Sequence, residues 1–460
     1  MFVVTLPASA GSNPRAFAQK AKKAGADILE IRSDLTPAVQ PFSSPLPILV
    51  SVRGKSDQLV DLLNPAFVDI EASSESAWLP KGAKLILSFH DYEKTPTLSE
   101  LKKIVQKMCS SQPWMIKLAT FITSYKDLLT LSDLQDFLNK KSIRSTVLGM
   151  GPKAHLSRIA SPIYNVFTYA TLEAADAAAP GQLPMSLYSL TKGRKKPKRF
   201  GILGGAQITA SLSPMIHNAL FLRHKIDALY SCFPTEDFAS TLTILEMLQI
   251  KGLSVTSPFK HDAFDTAEAC DTVSKKLHVA NTLVRFAKHW KGYNTDYFGI
   301  REGYPALASA KTIAILGAGG AVPSVILALR DVSPKAQITV FARDPAKARK
   351  ALHISDVSVD ALKNAASVRF DAVICAISDD LSFPLPSPVS RTSVAIDLPY
   401  GKETRFMKDA RAKKFKVYDG IPMLIHQALQ QFRYFTGKAP KKDDAEYLSK
   451  ALQDYLSSSR

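Results

Sequence analysis

The 460 residues are too many for one hydrophobic core and predict two or three domains. Hydrophobic residues make up 46% and charged residues 22%, as in an ordinary globular protein, and no run approaches the ~18 apolar residues of a membrane span. Lys and Arg give a formal net charge of +18 but are spread along the chain without a nucleic-acid-binding signature, so we expect a basic surface that attracts small anionic substrates.

The sequence has no pattern of an export signal or of a metal site. The first strand-like run, Phe2 to Leu6, follows directly after Met1 and leaves no room for a secretory signal. The four cysteines are scattered, without a Cys-x-x-Cys pair or a His cluster at zinc spacing. We therefore expect a cytoplasmic protein without metal, membrane or nucleic-acid partners, and its oligomeric state stays open.

Eight short apolar runs, many of them separated by helix-like stretches, occupy the first part of the chain. This alternation predicts a (β/α)8 barrel over residues 1–191. The runs are Phe2 to Thr5, Asp27 to Ile31, Ile48 to Val52, Phe67 to Ile70, Lys84 to Phe89, Trp114 to Ala119, Thr146 to Gly149 and Asn165 to Tyr169.

Polar residues fall at the carboxyl ends of several runs, where barrels of this type carry out their chemistry. They are Glu30, Arg32, Arg53, Glu71, His90 and Lys117. Lys117 lies within the apolar run Trp114 to Ala119, where a charged side chain is unexpected unless the barrel interior is a site. A lysine in a strand is more often a snorkelling or edge residue, so this pattern alone does not assign a role.

A basic linker, residues 192–199, follows the predicted barrel, because the run KGRKKPKR is too charged to be core and contains a proline. Beyond it we predict an α/β substrate domain, 200–304, and a Rossmann-type nucleotide domain, 305–420. The helical spacing of Ile421 to Phe435 indicates that residues 421–460 pack back on the substrate domain.

The nucleotide domain opens with KTIAILGAGGA, a strand followed by a glycine-rich turn. Such a turn brings backbone N–H groups close to a pyrophosphate at a helix N-terminus. The predicted turn residues are Gly317, Ala318, Gly319, Gly320 and Ala321. After the next strand, Arg343 stands where an NAD site has a carboxylate, and its guanidinium suits a 2'-phosphate, so we expect NADP.

Residues from about Arg199 to Gly437 resemble shikimate dehydrogenases through motifs that run in order. They are Ser211-Leu212-Ser213-Pro214-Met215-Ile216-His217-Asn218, Val255-Thr256-Ser257-Pro258-Phe259-Lys260, Ala280-Asn281-Thr282, Gly292-Tyr293-Asn294-Thr295-Asp296-Tyr297-Phe298-Gly299, Tyr400 with Thr404, Asp419-Gly420 and Met423-Leu424 through Gln427.

This resemblance implies a catalytic pair, Lys260 and Asp296, beside the reacting carbonyl of a shikimate-type ring. Lys260 would stabilise the negative charge that grows on oxygen and pass a proton. It further implies substrate contacts from Ser211, Ser213, Thr256, Asn281, Tyr400 and Gln427, and a cofactor contact from Gly420.

Residues 1 to about 190 resemble type I 3-dehydroquinate dehydratases. The matching motifs are Glu30-Ile31-Arg32-Ser33-Asp34, Ser88-Phe89-His90-Asp91-Tyr92-Glu93-Lys94-Thr95-Pro96, Lys117-Leu118-Ala119, Met150-Gly151, Ser157-Arg158 and Ala179-Pro180-Gly181-Gln182. Two departures concern substrate binding, namely the short segment Val52-Arg53-Gly54-Lys55 and Ala178 where a serine is usual.

This second resemblance implies that Lys117 forms a Schiff base with the substrate ketone while His90 moves protons. Arg158 would bind the substrate carboxylate, and Glu30, Arg32, Arg53 and Gln182 would hold hydroxyl groups and the carbonyl region.

Together, the two resemblances predict an enzyme that converts 3-dehydroquinate to 3-dehydroshikimate and reduces that product to shikimate. One alternative is a catabolic quinate/shikimate dehydrogenase that uses NAD, against which Arg343 argues. The other is a non-catalytic quinate sensor with the same folds. We expect such a sensor to lack Lys117, His90, Lys260 or Asp296, all of which are present.

Overall fold

A computed structural model describes residues 1–53, 58–73, 79–352, 356–377, 384–401 and 403–458. These residues form two compact units, mainly Met1–Lys251 and Gly252–Leu456. The predicted linker at residues 192–199 lies inside the first unit, and the finer division into domains stays a prediction. Among the described helices none is long and apolar enough to cross a membrane.

The first unit opens with a curved sheet whose neighbouring strands are all parallel, in the order β7-β6-β5-β4-β3-β2-β1-β8-β9. This is the barrel sheet that the apolar runs predicted. The strands are β1 Phe2–Thr5, β2 Ile28–Arg32, β3 Ile48–Ser51, β4 Phe67–Glu71, β5 Lys84–Asp91, β6 Met115–Phe121, β7 Ser145–Met150, β8 Thr168–Thr171 and β9 Leu183–Pro184.

Residues just before β8 connect the two ends of this sheet. The Val166 N–H donates to the Ser145 carbonyl at 3.0 Å, and the Asn165 side chain bonds both backbone groups of Val147 at 3.0 Å. The predicted eighth run therefore starts three residues before the strand itself. The side-chain contacts of Asn165 with β7 take the place of regular backbone pairing between strands here. The predicted (β/α)8 barrel is confirmed.

Helices follow most of these strands, and their starts are encoded locally. Thr97 and Glu100 form a capping box before α3, and Ser124 and Asp127 form another before α4, so each helix begins at a fixed residue. The helices are α1 Pro14–Lys23, α2 Gln58–Leu63, α3 Leu98–Ser110, α4 Tyr125–Lys140, α5 His155–Ile159, α6 Ser161–Tyr164 and α7 Met185–Ser189.

The barrel interior is layered, because alternate residues of a strand point to the same side. An apolar layer has one residue from each of the first six strands: Val3, Ile28, Leu49, Phe67, Ile86 and Met115. Two residues further along each strand comes a layer of buried polar residues: Thr5, Glu30, Ser51, Asp69, Ser88 and Lys117. The apolar layer is thus the floor on which the polar layer rests.

The rest of the first unit is α/β structure: β10 Lys198–Gly204, α8 Ser213–Arg223, β11 Ala228–Pro234 and α9 Phe238–Met247, with β10 and β11 parallel. The basic segment before it is not a free connector. The N–H groups of Lys195 and Lys196 donate to the Asp227 carboxylate, at 3.4 and 3.0 Å, and β10 already begins at Lys198.

At the start of the second unit, β14 pairs antiparallel with β12 and β15, and β13 pairs parallel with β15. The closing helix α16 packs on α12, with Met423 against Gly299. The elements are β12 Ile250–Val255, α10 Lys260–Thr266, β13 Ala269–Cys270, α11 Thr272–Leu277, β14 Thr282–Phe286, β15 His289–Tyr293, α12 Asp296–Gly303, α16 Ile421–Thr436 and α17 Asp444–Ser458.

Between α12 and α16 lies a parallel sheet of order β18-β17-β16-β20-β22-β23, which is the Rossmann order and confirms the predicted nucleotide fold. Its elements are β16 Thr312–Leu316, α13 Val322–Val332, β17 Gln337–Ala342, α14 Pro345–Leu352, β18 Ser358–Ala361, β20 Ala372–Cys375, β22 Val394–Asp397, α15 Arg405–Ala412 and β23 Lys416–Tyr418, beside the short pair β19 Arg369–Phe370 and β21 Ser387–Pro388.

Candidate active sites

All seven residues predicted for the first site line one cavity of about 90 Å³ at the carboxyl ends of the barrel strands. Seven side chains that are distant in sequence therefore converge on a single space, as a binding site requires. They are Glu30, Arg32, Arg53, His90, Lys117, Arg158 and Gln182.

A fully buried carboxylate, Asp69, lies at the centre of the charged groups. The Lys117 Nζ and the Arg53 guanidinium each lie 3.0 Å from its Oδ2, and the Ser88 hydroxyl donates to its Oδ1. Burial alone would raise the pKa of Asp69, but the two cations and the Ser88 hydrogen bond outweigh it and hold that pKa below its usual range. Asp69 therefore stays ionised and fixes both cations.

The amine of Lys117 is buried, with 6% of the residue exposed. Besides Asp69, it faces the ring of Tyr169, whose centroid lies 4.1 Å from Nζ. Carboxylate and aromatic face both favour an amine in one fixed position. The amine is thus aimed into the cavity by contacts that the sequence pattern did not predict.

His90 has a carboxylate partner of its own, Glu71. The Glu71 carboxylate accepts from the His90 backbone N–H at 2.9 Å and contacts the ring Nδ1 at 2.8 Å. This places a proton on Nδ1 and leaves Nε2 as the basic nitrogen. Burial, followed by the nearby Lys117 and Arg53 charges, lowers the pKa of His90 below its ordinary 6.5, against the opposing effect of Glu71.

Arg158 is a buried cation without a carboxylate partner among the described residues. Its Nε donates to the Gly149 carbonyl at 2.7 Å and its NH2 group to the Pro180 carbonyl at 3.4 Å. Burial lowers its pKa from the ordinary value because no anion offsets the lost hydration. A bound carboxylate would supply the missing charge.

The loop that closes the cavity is held by two predicted residues. Arg32 donates to the Ala178 carbonyl at 3.0 Å, and the Gln182 side chain accepts from the Ala178 N–H at 2.8 Å. Glu30 lies below, accepting from Thr5 and Ser51 at 2.6 Å each. Ala178 thus contributes backbone groups where the usual serine would add a hydroxyl, and residues 54–57, which include the short segment after Arg53, lie outside the described residues.

Asp69 and Glu71 join the predicted residues at this site, although no sequence motif assigns a role to either. Both lie in β4, two residues apart, so both point into the barrel. A charged side chain in a buried strand is the signal that identifies Lys117, and the same signal is present at Asp69 and Glu71.

In the second unit the predicted catalytic pair is in contact. The Lys260 Nζ lies 2.5 Å from Asp296 Oδ2, and the Asn281 amide donates to Asp296 Oδ1 at 2.7 Å. Asp296 is the first residue of α12, where the helix dipole favours a carboxylate. Gln427 joins the group by accepting from Asn281 at 3.3 Å, so four predicted residues form one network.

The other predicted substrate residues are more dispersed. The Ser211 hydroxyl donates to that of Ser213 at 3.1 Å within the first unit. Thr256 follows β12 and Tyr400 follows β22, both half-buried in the second unit. The structure therefore groups Lys260, Asp296, Asn281 and Gln427, and leaves the contribution of the remaining four residues as a prediction.

The glycine-rich turn after β16 has the geometry of a phosphate cradle. Gly317 adopts a φ of +100°, and a Cβ there would lie 3.0 Å from Ile377 and 3.2 Å from the Ala376 carbonyl. Gly319 and Gly320 are exposed just before α13, and Arg343 is exposed at the end of β17. These residues fit a dinucleotide with a 2'-phosphate. At Gly420 close packing requires a glycine, because a Cβ there would collide with the Leu398 carbonyl.

Comparison with protein families matches three models in succession along the chain. They are type I 3-dehydroquinase over residues 2–188, the shikimate dehydrogenase substrate binding domain over 203–283 and the shikimate 5'-dehydrogenase C-terminal domain over 420–446. The matches follow the order of the two predicted modules.

Curated relatives match in the same way. The chloroplastic bifunctional 3-dehydroquinate dehydratase/shikimate dehydrogenase of Arabidopsis thaliana is 26% identical, covering 94% of this chain and 81% of the relative. The NADP(+) shikimate dehydrogenase of Pyrococcus abyssi is 30% identical, covering 53% of this chain and 94% of the relative. The solved shikimate dehydrogenase 1 of Peptoclostridium difficile superposes on 56% of this chain with 25% identity and a TM-score of 0.50.

The His90–Glu71 contact generates a prediction that does not depend on catalysis. Replacing Glu71 by Gln removes a charge that raises the pKa of His90, so the ring should titrate at a lower pH than in the wild type, which itself titrates below 6.5. NMR titration of the His90 ring protons measures both midpoints. The exposed Glu93→Gln is the matched control, and a higher midpoint in Glu71→Gln would contradict the assignment.

Proposed function

We propose, from the premise that the chain belongs to the bifunctional type I 3-dehydroquinate dehydratase/shikimate dehydrogenase family, that it catalyses two consecutive reactions. The first dehydrates 3-dehydroquinate to 3-dehydroshikimate, and the second reduces that product to shikimate with NADPH. The observation that carries the proposal is the convergence of all seven predicted dehydratase residues on one cavity.

In the first reaction Lys117 attacks the substrate ketone and releases water, which leaves a Schiff base. Nε2 of His90 then removes the proton alpha to the imine carbon, and the electron pair forms an enamine. Collapse of the enamine expels the beta hydroxyl, to which His90 returns the proton, and hydrolysis frees the product and Lys117. One histidine therefore serves as base and acid in turn.

The surrounding charges support this sequence. Glu71 keeps Nε2 of His90 available, and the lowered pKa of His90 makes the neutral ring the main form at neutral pH. Arg158, buried without a counter-ion, binds the substrate carboxylate. Imine formation requires a neutral Lys117 amine, whereas the hydrogen bond that Lys117 donates to Asp69 favours the ammonium, so we propose that substrate binding weakens that contact.

In the second reaction the network of Lys260, Asp296 and Asn281 surrounds the carbonyl to be reduced. NADPH supplies a hydride when bound, held by the turn Gly317–Ala321 with Arg343 on its 2'-phosphate. Lys260 stabilises the developing alkoxide and donates a proton, while Asp296 and Asn281 keep its amine in place. Thr256 and Gln427 supply hydrogen bonds to the ring substituents, and the contribution of Ser211 and Ser213 stays a prediction.

The alternatives are less favoured. All four proposed catalytic residues are present, unlike what we expect of a sensor, and the relatives in the second half are named for NADP rather than NAD. Cytoplasmic location is supported by four cysteines that are free thiols in the structure. The absence of a nucleic-acid partner stays a prediction.

Lys117→Ala should abolish dehydration because Lys117 is the only lysine among the described residues that line the cavity, while reduction of added 3-dehydroshikimate should continue. Borohydride added with substrate should covalently label the wild type at Lys117 and not the variant. Mass spectrometry and the absorbance of the enone product measure both effects. Unimpaired dehydration by the variant would exclude the Schiff-base mechanism.

Lys260→Ala and Asp296→Ala should each lower the dehydrogenase kcat much more than they raise the KM for shikimate, because the pair stabilises charge that develops only in the transition state. The double variant should lose little more than either single one, since the two act as a unit. Steady-state kinetics of both reactions test this, with dehydration staying within about twofold. Equal losses in both reactions would indicate general destabilisation.

Arg343→Ala should weaken NADPH binding by about 1.5 to 3 kcal/mol, the contribution of a charge-assisted hydrogen bond, and leave NADH binding nearly unchanged. Fluorescence titration with both nucleotides measures the difference. A wild type that already prefers NADH would disprove the assignment of Arg343.

A further inference from the structure

The strand β11 (Ala228–Pro234) is the terminal strand of its sheet, pairing with β10 along one edge. All seven of its residues are nevertheless buried. A terminal strand leaves backbone groups unpaired along its free edge, so another element must cover it. Here the covering elements from the barrel are helix α5 and the short helical turn Pro152–Ala154 before it, within the same compact unit.

Two barrel side chains make polar contacts with β11. The Tyr125 hydroxyl, at the start of α4, donates to the Pro234 carbonyl at 2.8 Å. Nδ1 of His155, at the start of α5, lies 3.0 Å from the Ser231 hydroxyl and 3.4 Å from the Cys232 backbone nitrogen. A backbone N–H can only donate, so Nδ1 accepts and His155 is neutral. Burial lowers the pKa of His155 to about 4, which keeps it neutral at physiological pH.

Helix α5 carries both His155 and Arg158, three residues apart. The helix has five residues and no side-chain cap at its start. One and a half turns are too short to be stable alone, so its position depends on what it packs against. Besides the apolar contacts of Leu156 and Ile159, the contact of His155 with β11 holds its first residue.

We propose that β11 positions Arg158 through His155, so that the affinity of the first active site for its carboxylate substrate depends on the second enzyme module. His155 is then a positioning residue and does not touch substrate. The inference rests on the proposed function, because it takes Arg158 to be the group that binds the substrate carboxylate.

His155→Phe, made in the full chain, keeps a ring of similar size but removes the acceptor. We expect the KM for 3-dehydroquinate to rise about five- to tenfold, the factor that corresponds to one lost hydrogen bond, with kcat within about twofold. His155→Asn places an amide oxygen near the position of Nδ1 and should restore the KM to within about twofold of the wild type. An unchanged KM in His155→Phe would overturn the inference.

Tyr125→Phe is the matched control. It removes a 2.8 Å hydrogen bond from the same covered strand, but from α4, which carries none of the residues that line the cavity. Its Tm should fall as that of His155→Phe falls, while its KM stays unchanged. An equal rise in KM for both variants would mean that loosening the interface is sufficient, and would overturn the specific role of His155.

A double-mutant cycle with Arg158→Ala separates this inference from the function on which it rests. Arg158→Ala should raise KM, and adding His155→Phe should raise it no further, because the group being positioned is gone. Additive effects would overturn the inference alone. An unchanged KM in Arg158→Ala would overturn both the role of Arg158 and the inference.

Discussion

The buried carboxylate of Asp69 is the interaction on which the first active site depends. An ionised carboxylate is costly to bury alone, and Asp69 stays ionised because Arg53, Lys117 and Ser88 surround it. The dependence is mutual, since each cation would also be costly to bury alone. The two positive charges of Arg53 and Lys117 exceed the single negative charge of Asp69. The remaining positive charge helps to lower the pKa of the neighbouring His90. The Asp69 carboxylate thus links the position of the Lys117 amine to the proton affinity of His90.

In the second site a carboxylate also fixes the lysine, but that carboxylate lies on a different kind of secondary structure. Asp69 comes from the middle of a strand, where period-two alternation points it inward, whereas Asp296 begins a helix whose dipole stabilises it. Asn281 holds the second oxygen of Asp296, as Ser88 does for Asp69. In both sites one carboxylate oxygen accepts from a neutral donor and the other contacts a lysine. The lysine therefore has few alternative positions, which is the preorganisation that catalysis needs.

Much of this could be predicted from the sequence, because strand periodicity and motif spacing are local. Eight apolar runs indicated the barrel, and Lys117 within one of them indicated its interior. A charge within a buried strand also points to Asp69 and Glu71, but it does not show which residues they contact, because only the barrel ring brings those neighbours together, such as His90, 19 residues after Glu71. The way in which the two ends of the sheet meet could not be predicted from the sequence either, since the contact of Asn165 with Val147 is made by a side chain in place of a strand ladder. Spacing along the chain does not encode such contacts.

The basic segment 192–199 makes contacts that its composition does not indicate. Its charge density indicates a solvated linker, yet two of its N–H groups bond Asp227 and its last residues begin β10. From the sequence the two modules are expected to be separate, because each resembles a complete enzyme. In the structure, however, barrel helices cover the free edge of β11. A polar contact in such an interface is more specific than an apolar one, because misplacing His155 or Ser231 would leave buried donors and acceptors unpaired. That penalty ties the register of α5, and with it Arg158, to a strand of the neighbouring enzyme.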